Sequence, residues 1–409
     1  MWEQIASNRR KSVFLVLLMA LLLAALGWAL GEYFVGQGGG AMGVGLAVVI
    51  WFIMTLVAYF QGDNIYLTMS GAKKVEKEDL PVLFNVVEEM TLAAGLPSMP
   101  AVYVIDDPAP NAFATGRRPE TAAVAVTSGL LKRLNRDELQ GVIAHEIAHV
   151  RNRDILLMLF AGVLAGAVVL LAQIGMRGMW FGGGRSRRRE GGDGGGQAII
   201  MVVVIVLAIL APIMAQLIYF AVSRKREYLA DASAATFTRY PEGLASALEK
   251  ISASPAKLAS ANKATAPMYI INPLARDGKM AANGTSTHPP IDERVRILRS
   301  MGGVGFADYE ESYRKLKGGK GVIPSSAMDG IGAMPGSAAR AATATAAAGA
   351  PEVNKRKQAR ETDDFFYDKN GYDRIECPCG TILKVPPSFK SGQVKCPRCR
   401  RKHDVKRSR

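Results

Sequence analysis

Residues 135–152 read NRDELQGVIAHEIAHVRN, and this stretch decides how the rest of the chain is interpreted. Asn135 followed by Glu138 is the pattern of a helix capping box, which predicts a helix that ends near Asn152. Its segment His145–His149 is an H-E-x-x-H motif, and the spacing of four residues puts both imidazoles on one helical face, where they can share a metal ion. A chance pentapeptide on a surface helix is the alternative, but two of only four histidines in the chain flank one glutamate here.

Ligands of this kind predict a zinc site that keeps one position open for water. Glu146, beside His145, can take a proton from that water as it attacks a polarised carbonyl. A third ligand is needed, and we expect Glu227 to supply it. Asp231 lies one helical turn further on, where it can accept a hydrogen bond from a ligand imidazole. The alternative for Glu227 is a salt bridge to a neighbouring arginine on a charged helix at the membrane surface.

Four long stretches of the chain contain no Asp, Glu, Lys or Arg. They are Ser12–Gly31, Tyr33–Gly62, Ile155–Met176 and Gly194–Ser223. Each holds about twenty residues or more, the length at which a helix crosses the bilayer core, so four membrane helices are predicted. A secretory signal is the alternative for the first stretch. A second apolar stretch follows at once, which favours a retained helical hairpin.

The basic residues of the chain, which carries a net charge of +15, predict its orientation in the membrane. Lysines and arginines lie before the first stretch and after the second, whereas the link Glu32–Gly40 between them has none. The N-terminus and the region after Phe60 are therefore expected in the cytoplasm. The second pair of stretches does not follow this rule, because its loop Arg177–Gly196 contains five arginines. Full spanning and partial insertion of that pair both stay open.

The polar segments on either side of the second pair predict a mixed α and β domain in two halves. Lys77–Ala94 has the apolar spacing of an amphipathic helix, and Ala101–Ile105 and Ala122–Thr127 read as short strands. The second half, from residue 224 to about residue 317, is predicted to be mostly helical.

The tail contains every cysteine of the chain. They are Cys377, Cys379, Cys396 and Cys399. Two close pairs at this separation predict a structural Cys₄ zinc ribbon, with a redox pair as the alternative. The excess of basic residues predicts docking to anionic lipid or to a client protein, and the lack of an aromatic platform argues against nucleic acid. His403 is assigned no role.

Three segments together resemble the HtpX-type membrane metalloproteases, which are bacterial and archaeal heat-shock enzymes related to the CAAX-prenyl proteases. The segments are His145–His149, Glu227–Asp231 and His288–Arg294. The resemblance covers Met1 to about Met301 and implies a zinc endopeptidase with a gluzincin-like core facing the cytoplasm. It further implies membrane-protein substrates that are cleaved in stress-related quality control when they are misfolded or damaged.

The resemblance also implies a role for each matching residue. The implied zinc ligands are His145, His149 and Glu227, with Glu146 as general base and Asp231 as a partner of one ligand. His288 would stabilise the oxyanion of the tetrahedral intermediate, the alternative being a loop histidine with a local role. Asn111 and Ala112 would belong to an edge strand that pairs with an extended substrate, the alternative being a turn that enters a strand.

These predictions combine into a multi-pass protein of a prokaryotic cytoplasmic membrane that binds two zinc ions. Its fold class is an α-helical membrane protein with four apolar helices, a mainly α, α+β gluzincin-like zinc protease domain and a small C-terminal zinc ribbon. The predicted parts are the transmembrane hairpin 1–62, the protease halves 63–154 and 224–317, the second helix pair 155–223, a disordered linker 318–363 and the ribbon 364–409. A maturation protease with one dedicated substrate and a catalytically silent membrane adaptor are the alternative functions.

Overall fold

A computed structural model of the chain describes most of the predicted soluble parts and the first helix pair. The described residues are 2–155, 224–259, 268–271, 288–318, 321–323, 355–389 and 392–405, with a few single positions between them. The third and fourth predicted membrane helices, Ile155–Met176 and Gly194–Ser223, lie outside the described residues except at single positions. Most of the predicted linker 318–363 also lies outside them.

The chain begins with a hairpin of two long helices, α1 (Trp2–Val35) and α2 (Gly39–Met69). A 20-residue part of α1 and the 31 residues of α2 are long and apolar enough to cross a membrane. The turn lies at Gly36 and Gly38, inside the predicted link Glu32–Gly40, and its φ values of +93° and +84° require the conformational freedom of glycine. Large apolar side chains are exposed on both helices, which is the surface expected of helices that contact lipid.

Glycines bring the backbones of α1 and α2 into direct contact. A Cβ atom placed on Gly43 of α2 would lie 2.0 Å from the carbonyl oxygen of Gly27, and one on Gly31 would lie 2.2 Å from the oxygen of Gly39. Two pairs of glycines four residues apart therefore face each other, an arrangement that allows close helix packing in a membrane.

We expect Gly43→Ala to destabilise the chain by about 1–3 kcal/mol, because the added methyl group must push the two helix backbones apart. Gly45→Ala on the same helix is the matched control, since a Cβ atom there meets nothing within 4 Å. Thermal unfolding in detergent compares the two variants. Equal stability of Gly43→Ala and Gly45→Ala would show that the contact does not hold the hairpin.

A four-stranded sheet follows the hairpin. Its strands are β1 (Ala72–Lys74), β2 (Ala101–Ile105), β3 (Ala112–Thr115) and β4 (Ala123–Thr127). Their order is β1-β2-β4-β3, with β2 and β4 parallel and the other pairs antiparallel. β2 and β4 match the two predicted strands to within one residue. β3 is therefore an edge strand.

Helices cover the sheet and build the core. They are α3 (Pro81–Ala94), α4 (Ser128–Arg133), α5 (Arg136–Arg151), α6 (residues 224–238), α7 (Pro241–Ser252), α8 (Ile291–Arg299) and α9 (Phe306–Lys317). α5 begins with the predicted capping box, in which Asn135 and Glu138 bond each other's backbone N–H groups. α7 packs closely on α5, because Gly141 leaves room for the backbone of Leu244. Residues from both predicted protease halves thus share one core.

The tail forms a helix and two small hairpins. They are α10 (Lys355–Lys369), β5 (Asp373–Glu376) with β6 (Ile382–Val385), and β7 (Gly392–Lys395) with β8 (Lys402–Val405). α10 begins inside the segment that was predicted to be disordered. It packs on α4, its Phe365 and Phe366 are buried in the main core, and Lys132 lies 2.5 Å from Asp363. The packing of these two aromatic rings explains why a strongly charged segment is helical.

Candidate active site

Helices α5 and α6 bring three potential metal ligands together in the core. The Nε2 atoms of His145 and His149 are 3.2 Å apart. Glu227 reaches both of them, with Oε2 3.6 Å from Nε2 of His145 and Oε1 3.5 Å from Nε2 of His149. All three residues are buried, and their ligand atoms lie within 4.8 Å of one another. The structure thus brings together the three residues that were predicted as ligands.

The chemistry of this donor set fits zinc. Two imidazole nitrogens and one carboxylate converge on a point, which is a composition found in catalytic zinc sites. In each imidazole the other nitrogen, Nδ1, faces an aspartate. That contact favours a proton on Nδ1 and leaves Nε2 as the lone-pair donor. His145, His149 and Glu227 are therefore the residues that would hold the metal.

Glu146 lies beside the three donors and is 2% exposed. Its Oε1 atom has no hydrogen-bond partner among the residues that the structure describes. Burial raises the pKa of Glu146, although the neighbouring His145 and His149 oppose the change. A buried carboxylate oxygen without a partner is costly unless a substrate or water molecule uses it, which suits a proton acceptor in catalysis.

Asp231 lies next to the imidazole of His145, a candidate ligand, as predicted. Its Oδ1 atom is 3.0 Å from Nδ1 of His145. Arg294 donates to both oxygens of Asp231, from Nε at 2.8 Å and from Nη2 at 2.7 Å. Burial opposes the charged form of Asp231, but Arg294 outweighs it and keeps the pKa of this carboxyl below its usual value.

The imidazole of His149, the other candidate ligand, has a partner that was not predicted from the sequence. Nδ1 of His149 lies 3.2 Å from Oδ2 of Asp154, and Asp154 is fully buried. Arg226 donates from Nη1 to the backbone oxygen of Asp154 at 3.2 Å, and the same nitrogen is 3.5 Å from Oδ1. The spacing of five residues between His149 and Asp154 was the available signal, but it is not a helical neighbour distance.

His288 joins the cluster from outside the two helices. Its Nδ1 atom is 2.8 Å from Oε2 of Glu227, and its side chain lines the cavity beside the three donors. Burial opposes the charged form of Glu227, but His288 and His145 outweigh it, and the pKa of Glu227 falls well below its usual value. The proposed contact of His288 with an oxyanion stays a prediction.

Asn111 and Ala112, predicted as substrate-binding residues, contact a segment of the chain itself. The N–H group of Ile270 donates to the backbone oxygen of Ala112 at 2.9 Å. The Asn111 amide donates to the backbone oxygen of Ile271 at 2.9 Å. Residues 268–271 therefore lie along the outer edge of β3, with Tyr269 against Phe113 at a ring distance of 5.1 Å.

The cavity beside the three candidate ligands is small and mostly enclosed. Its lining residues are Ala114, His145, Glu146, His149, Ile155, Glu227, Met268, Tyr269, Ile270 and His288. Ala114 contributes from the edge strand and residues 268–270 from the segment that lies against it. The cavity thus connects the edge of β3 with the predicted ligands.

The tail contains a second group of potential metal ligands. The four cysteine sulfurs lie within 4.8 Å of one another, with Cys377 and Cys399 3.3 Å apart. Hydrogen bonds with Thr381 lower the pKa of Cys379 to about 6, which favours a thiolate. His403, to which no role was assigned, is also here, with Nε2 3.2 Å from the sulfur of Cys377. The thiol set fits a structural zinc site.

The match to a family model decides the identity of the chain. The model of Peptidase family M48 matches residues 80–302, a range that contains α5, α6 and His288. The chain belongs to Peptidase family M48. Residues 303–409, including the cysteine tail, lie outside the matched range.

Several relatives of this M48 chain are named Protease HtpX homolog. The protein from Dictyoglomus turgidum is 46% identical over 301 residues, which cover 74% of this chain and 95% of the relative. The protein from Streptococcus mutans is 46% identical over 303 residues, which cover 74% of this chain and all of the relative. The crystal structure of S. mikatae Ste24p has a TM-score of 0.38 and 20% identity over 73% of this chain and 67% of that one, a likeness that supports no structural conclusion.

The predicted resemblance to the HtpX-type metalloproteases is confirmed. The M48 chain is a membrane zinc metalloprotease with a peptidase domain, two apolar N-terminal helices and a C-terminal cysteine cluster.

The metal-free protein should lose stability as the pH rises from about 6.5 to about 9. Burial opposes the charged form of His145, but the nearby carboxylates of Asp231 and Glu227 outweigh it and raise the pKa to about 9. A group whose pKa is higher in the folded state than in the unfolded state stabilises the folded state. The whole contribution is present at pH values below the unfolded-state pKa. This contribution, up to about 3 kcal/mol, is lost as the pH rises through the folded value. Thermal unfolding of the chelator-treated chain at pH 6 and pH 9 measures it.

His145→Gln is the control for this pH dependence, because it removes the titrating imidazole. The stability of the metal-free variant should change less between pH 6 and pH 9 than that of the metal-free parent. Parallel curves would show that His145 does not titrate in this range.

Proposed function

We propose that this M48 protease cleaves peptide bonds with Glu146 as general base and with zinc held by His145, His149 and Glu227. When bound, zinc supplies Lewis acidity that polarises the scissile carbonyl and promotes ionisation of water. The observation that carries the proposal is the buried Glu146 carboxylate, whose Oε1 atom has no hydrogen-bond partner among the described residues and which lies beside three convergent donors.

In this proposal the residues of the chain move one proton and stabilise one charge. Glu146 accepts a proton from the attacking water and returns it to the leaving amine, a task helped by the raised pKa of this carboxyl. His288 lines the same cavity and is the candidate donor to the oxyanion of the tetrahedral intermediate. Asp231 keeps His145 in the tautomer that has its proton on Nδ1 and its lone pair on Nε2.

We further propose that the substrate pairs with β3 at Ala114, two residues beyond the predicted Ala112. Thr127 bonds the backbone of Asn111, so the N–H and C=O groups of Ala112 and Ala114 point away from β4. Ile270 already bonds the oxygen of Ala112 in the manner of a neighbouring strand. Ala114 lines the cavity, so an extended chain that continues this pairing would pass the ligand cluster.

The proposed substrates are misfolded or damaged membrane proteins, cleaved at the cytoplasmic face of a prokaryotic inner membrane by a four-helix, multi-pass enzyme. The structure supports a site close to the bilayer. α2 runs from its apolar part into the protease core, where Tyr66 and Leu67 are buried. Arg117, next to the end of β3, donates to the backbone oxygen of Tyr59 at 3.2 Å and lies 5.2 Å from the ring of Phe60.

We propose that the cysteine cluster binds a second, structural zinc ion. Exposed basic side chains surround its second pair of cysteines. They are Lys395, Arg398, Arg400, Arg401 and Lys402. Such a surface suits anionic lipid or an acidic client segment.

Glu146→Gln should retain zinc but lose cleavage of an unfolded membrane protein by a factor of about 100 or more, because amide nitrogen and oxygen cannot take up the proton. Glu78→Gln is the matched control, since Glu78 is an exposed glutamate far along the chain from the motif. Zinc content and cleavage of a reporter substrate are measured on both variants in nanodiscs.

Unchanged cleavage by Glu146→Gln would contradict the protease mechanism. The same pair of chains tests the range of substrates in cells. Many membrane proteins that accumulate with Glu146→Gln indicate quality control, whereas a single accumulating protein indicates a dedicated maturation protease.

Metal analysis of the purified chain should find two zinc ions, and the double variant Cys379→Ser, Cys396→Ser should retain one. Loss of two thiolates leaves too few ligands for a Cys₄ site. Ser388→Ala, at an exposed position of the same tail, should retain both ions. Two ions in the double variant would contradict a structural site. Truncation after Lys317 is a poorer test, because it removes Phe365 and Phe366 from the core.

A further inference from the structure

Both candidate histidine ligands are held by the same kind of contact chain, from imidazole to aspartate to arginine. His145 is held by Asp231 and Arg294, all three fully buried. His149 faces Asp154, and Asp154 faces Arg226. The sequence motif and the family resemblance identify Asp231, but nothing in them identifies the second pair.

The backbone around Asp154 is shaped to reach His149. Helix α5 ends at Arg151, and Asn152 is its last capping residue. Arg153 then has φ of +55°, a left-handed conformation that non-glycine residues adopt at some cost. The left-handed residue reverses the direction of the chain and brings Asp154 back to the imidazole of His149, which lies in the last turn of the helix. An unfavourable conformation at this point is consistent with a functional demand on the turn.

The position of Arg226 follows from that of Glu227, the candidate third ligand. Arg226 directly precedes Glu227 on α6, so the residue that supplies the third donor fixes the position of the arginine. Arg226 is 6% exposed and Asp154 is fully buried. Burial of a carboxylate is costly unless a cationic partner and hydrogen bonds accompany it. Arg226 supplies the charge at 3.5 Å and also donates to the backbone oxygen of Asp154 at 3.2 Å.

We propose that Asp154 and Arg226 are positioning residues for the His149 ligand, acting through the Nδ1 atom of its imidazole. This inference rests on the proposed function, since it takes His149 as a zinc ligand. Asp154 holds the proton on Nδ1 and orients the ring, so that Nε2 carries the lone pair toward the metal. Arg226 holds Asp154 in place through its contacts with the carboxylate and the backbone oxygen of that residue.

The Asp154–Arg226 pair lies where the chain enters and leaves the predicted second pair of membrane helices. Asp154 is the last residue before the third charge-free stretch, and Arg226 is the third residue after the fourth. Their ion pair therefore links the residue before segment 155–225 to the residue after it, next to His149. The Asp231–Arg294 pair, in contrast, joins α6 to α8, which both follow that segment. A displacement of the segment's ends would act on His149 through Asp154.

The test is a zinc competition with a chelator, using the full-length chain in nanodiscs. Because the tail is expected to bind zinc as well, the catalytic-site step is identified as the one missing in His149→Ala. Asp154→Ala should weaken that step about 10- to 100-fold. Asp154→Asn should weaken it less, since the amide oxygen still accepts from Nδ1, and Arg226→Met should also weaken it.

Asp292→Ala is the matched control, because it removes an exposed aspartate from an ion pair with Arg296 at 3.2 Å. It should leave the catalytic-site step unchanged. The absorption spectrum of the cobalt-substituted chain gives a second readout. It should change with Asp154→Asn and Arg226→Met, because the ligand field depends on how the imidazole is held, and it should not change with Asp292→Ala.

Zinc affinity of Asp154→Ala within twofold of the parent, with an unchanged cobalt spectrum, would overturn the positioning role. If Asp154→Ala does not fold, the near-isosteric Asp154→Asn decides together with Arg226→Met, provided that their thermal unfolding matches that of the control. Failure of the proposed function can be distinguished from failure of the positioning role. If the parent and Glu146→Gln cleave equally while Asp154→Asn still weakens zinc binding, the general-base mechanism fails and the positioning role stands.

Discussion

The structure depends on placing two imidazoles and a carboxylate at one point inside an apolar core. His145, His149 and Glu227 are at most 7% exposed, and their donor atoms lie within 4.8 Å of one another. Buried polar groups of this kind are tolerated only when their remaining atoms are bonded and their charges are neutralised. Much of the surrounding architecture follows from that demand. α5 supplies the histidines on one face, and α6 supplies the carboxylate. A buried aspartate contacts the Nδ1 atom of each imidazole, and each aspartate is in turn paired with a buried arginine.

The parts of this site that could be predicted are those in which the chemistry is local in sequence. The spacing of four residues between His145 and His149, or between Glu227 and Asp231, fixes a shared helical face whatever the rest of the chain does. The capping box at Asn135 likewise sets where α5 begins. Asp154 could not be found in this way, because it reaches His149 only through the left-handed turn at Arg153. The contact of residues 268–271 with β3 depends on chain segments more than 150 residues apart, for which the sequence carries no pattern.

The tail illustrates a different limit of composition-based prediction. The charged run that begins at Lys355 has the composition of a solvated linker, and it precedes the cysteines directly. The helix α10 forms there because Phe365 and Phe366 find an apolar surface beside α4, which is a tertiary interaction. The cysteine cluster is thereby carried on a helix that belongs to the protease core, and Lys384 of the first hairpin bonds Asp364 of that helix. In the proposed function, the basic surface would have a defined position relative to the peptidase domain.

The edge strand β3 lies between the apolar helix α2 and the candidate active site. Arg117 contacts Tyr59 and Phe60 of α2 from just beyond the end of β3, and Ala114 of β3 lines the cavity beside the candidate metal ligands. A substrate that pairs with β3 is recognised mainly through its backbone, and backbone hydrogen bonds are indifferent to side-chain identity. Selection in the proposed mode would then depend on whether a segment is extended and unpaired close to the bilayer. Folded membrane proteins keep their backbone groups bonded within helices, so a misfolded protein is the one that offers such a segment.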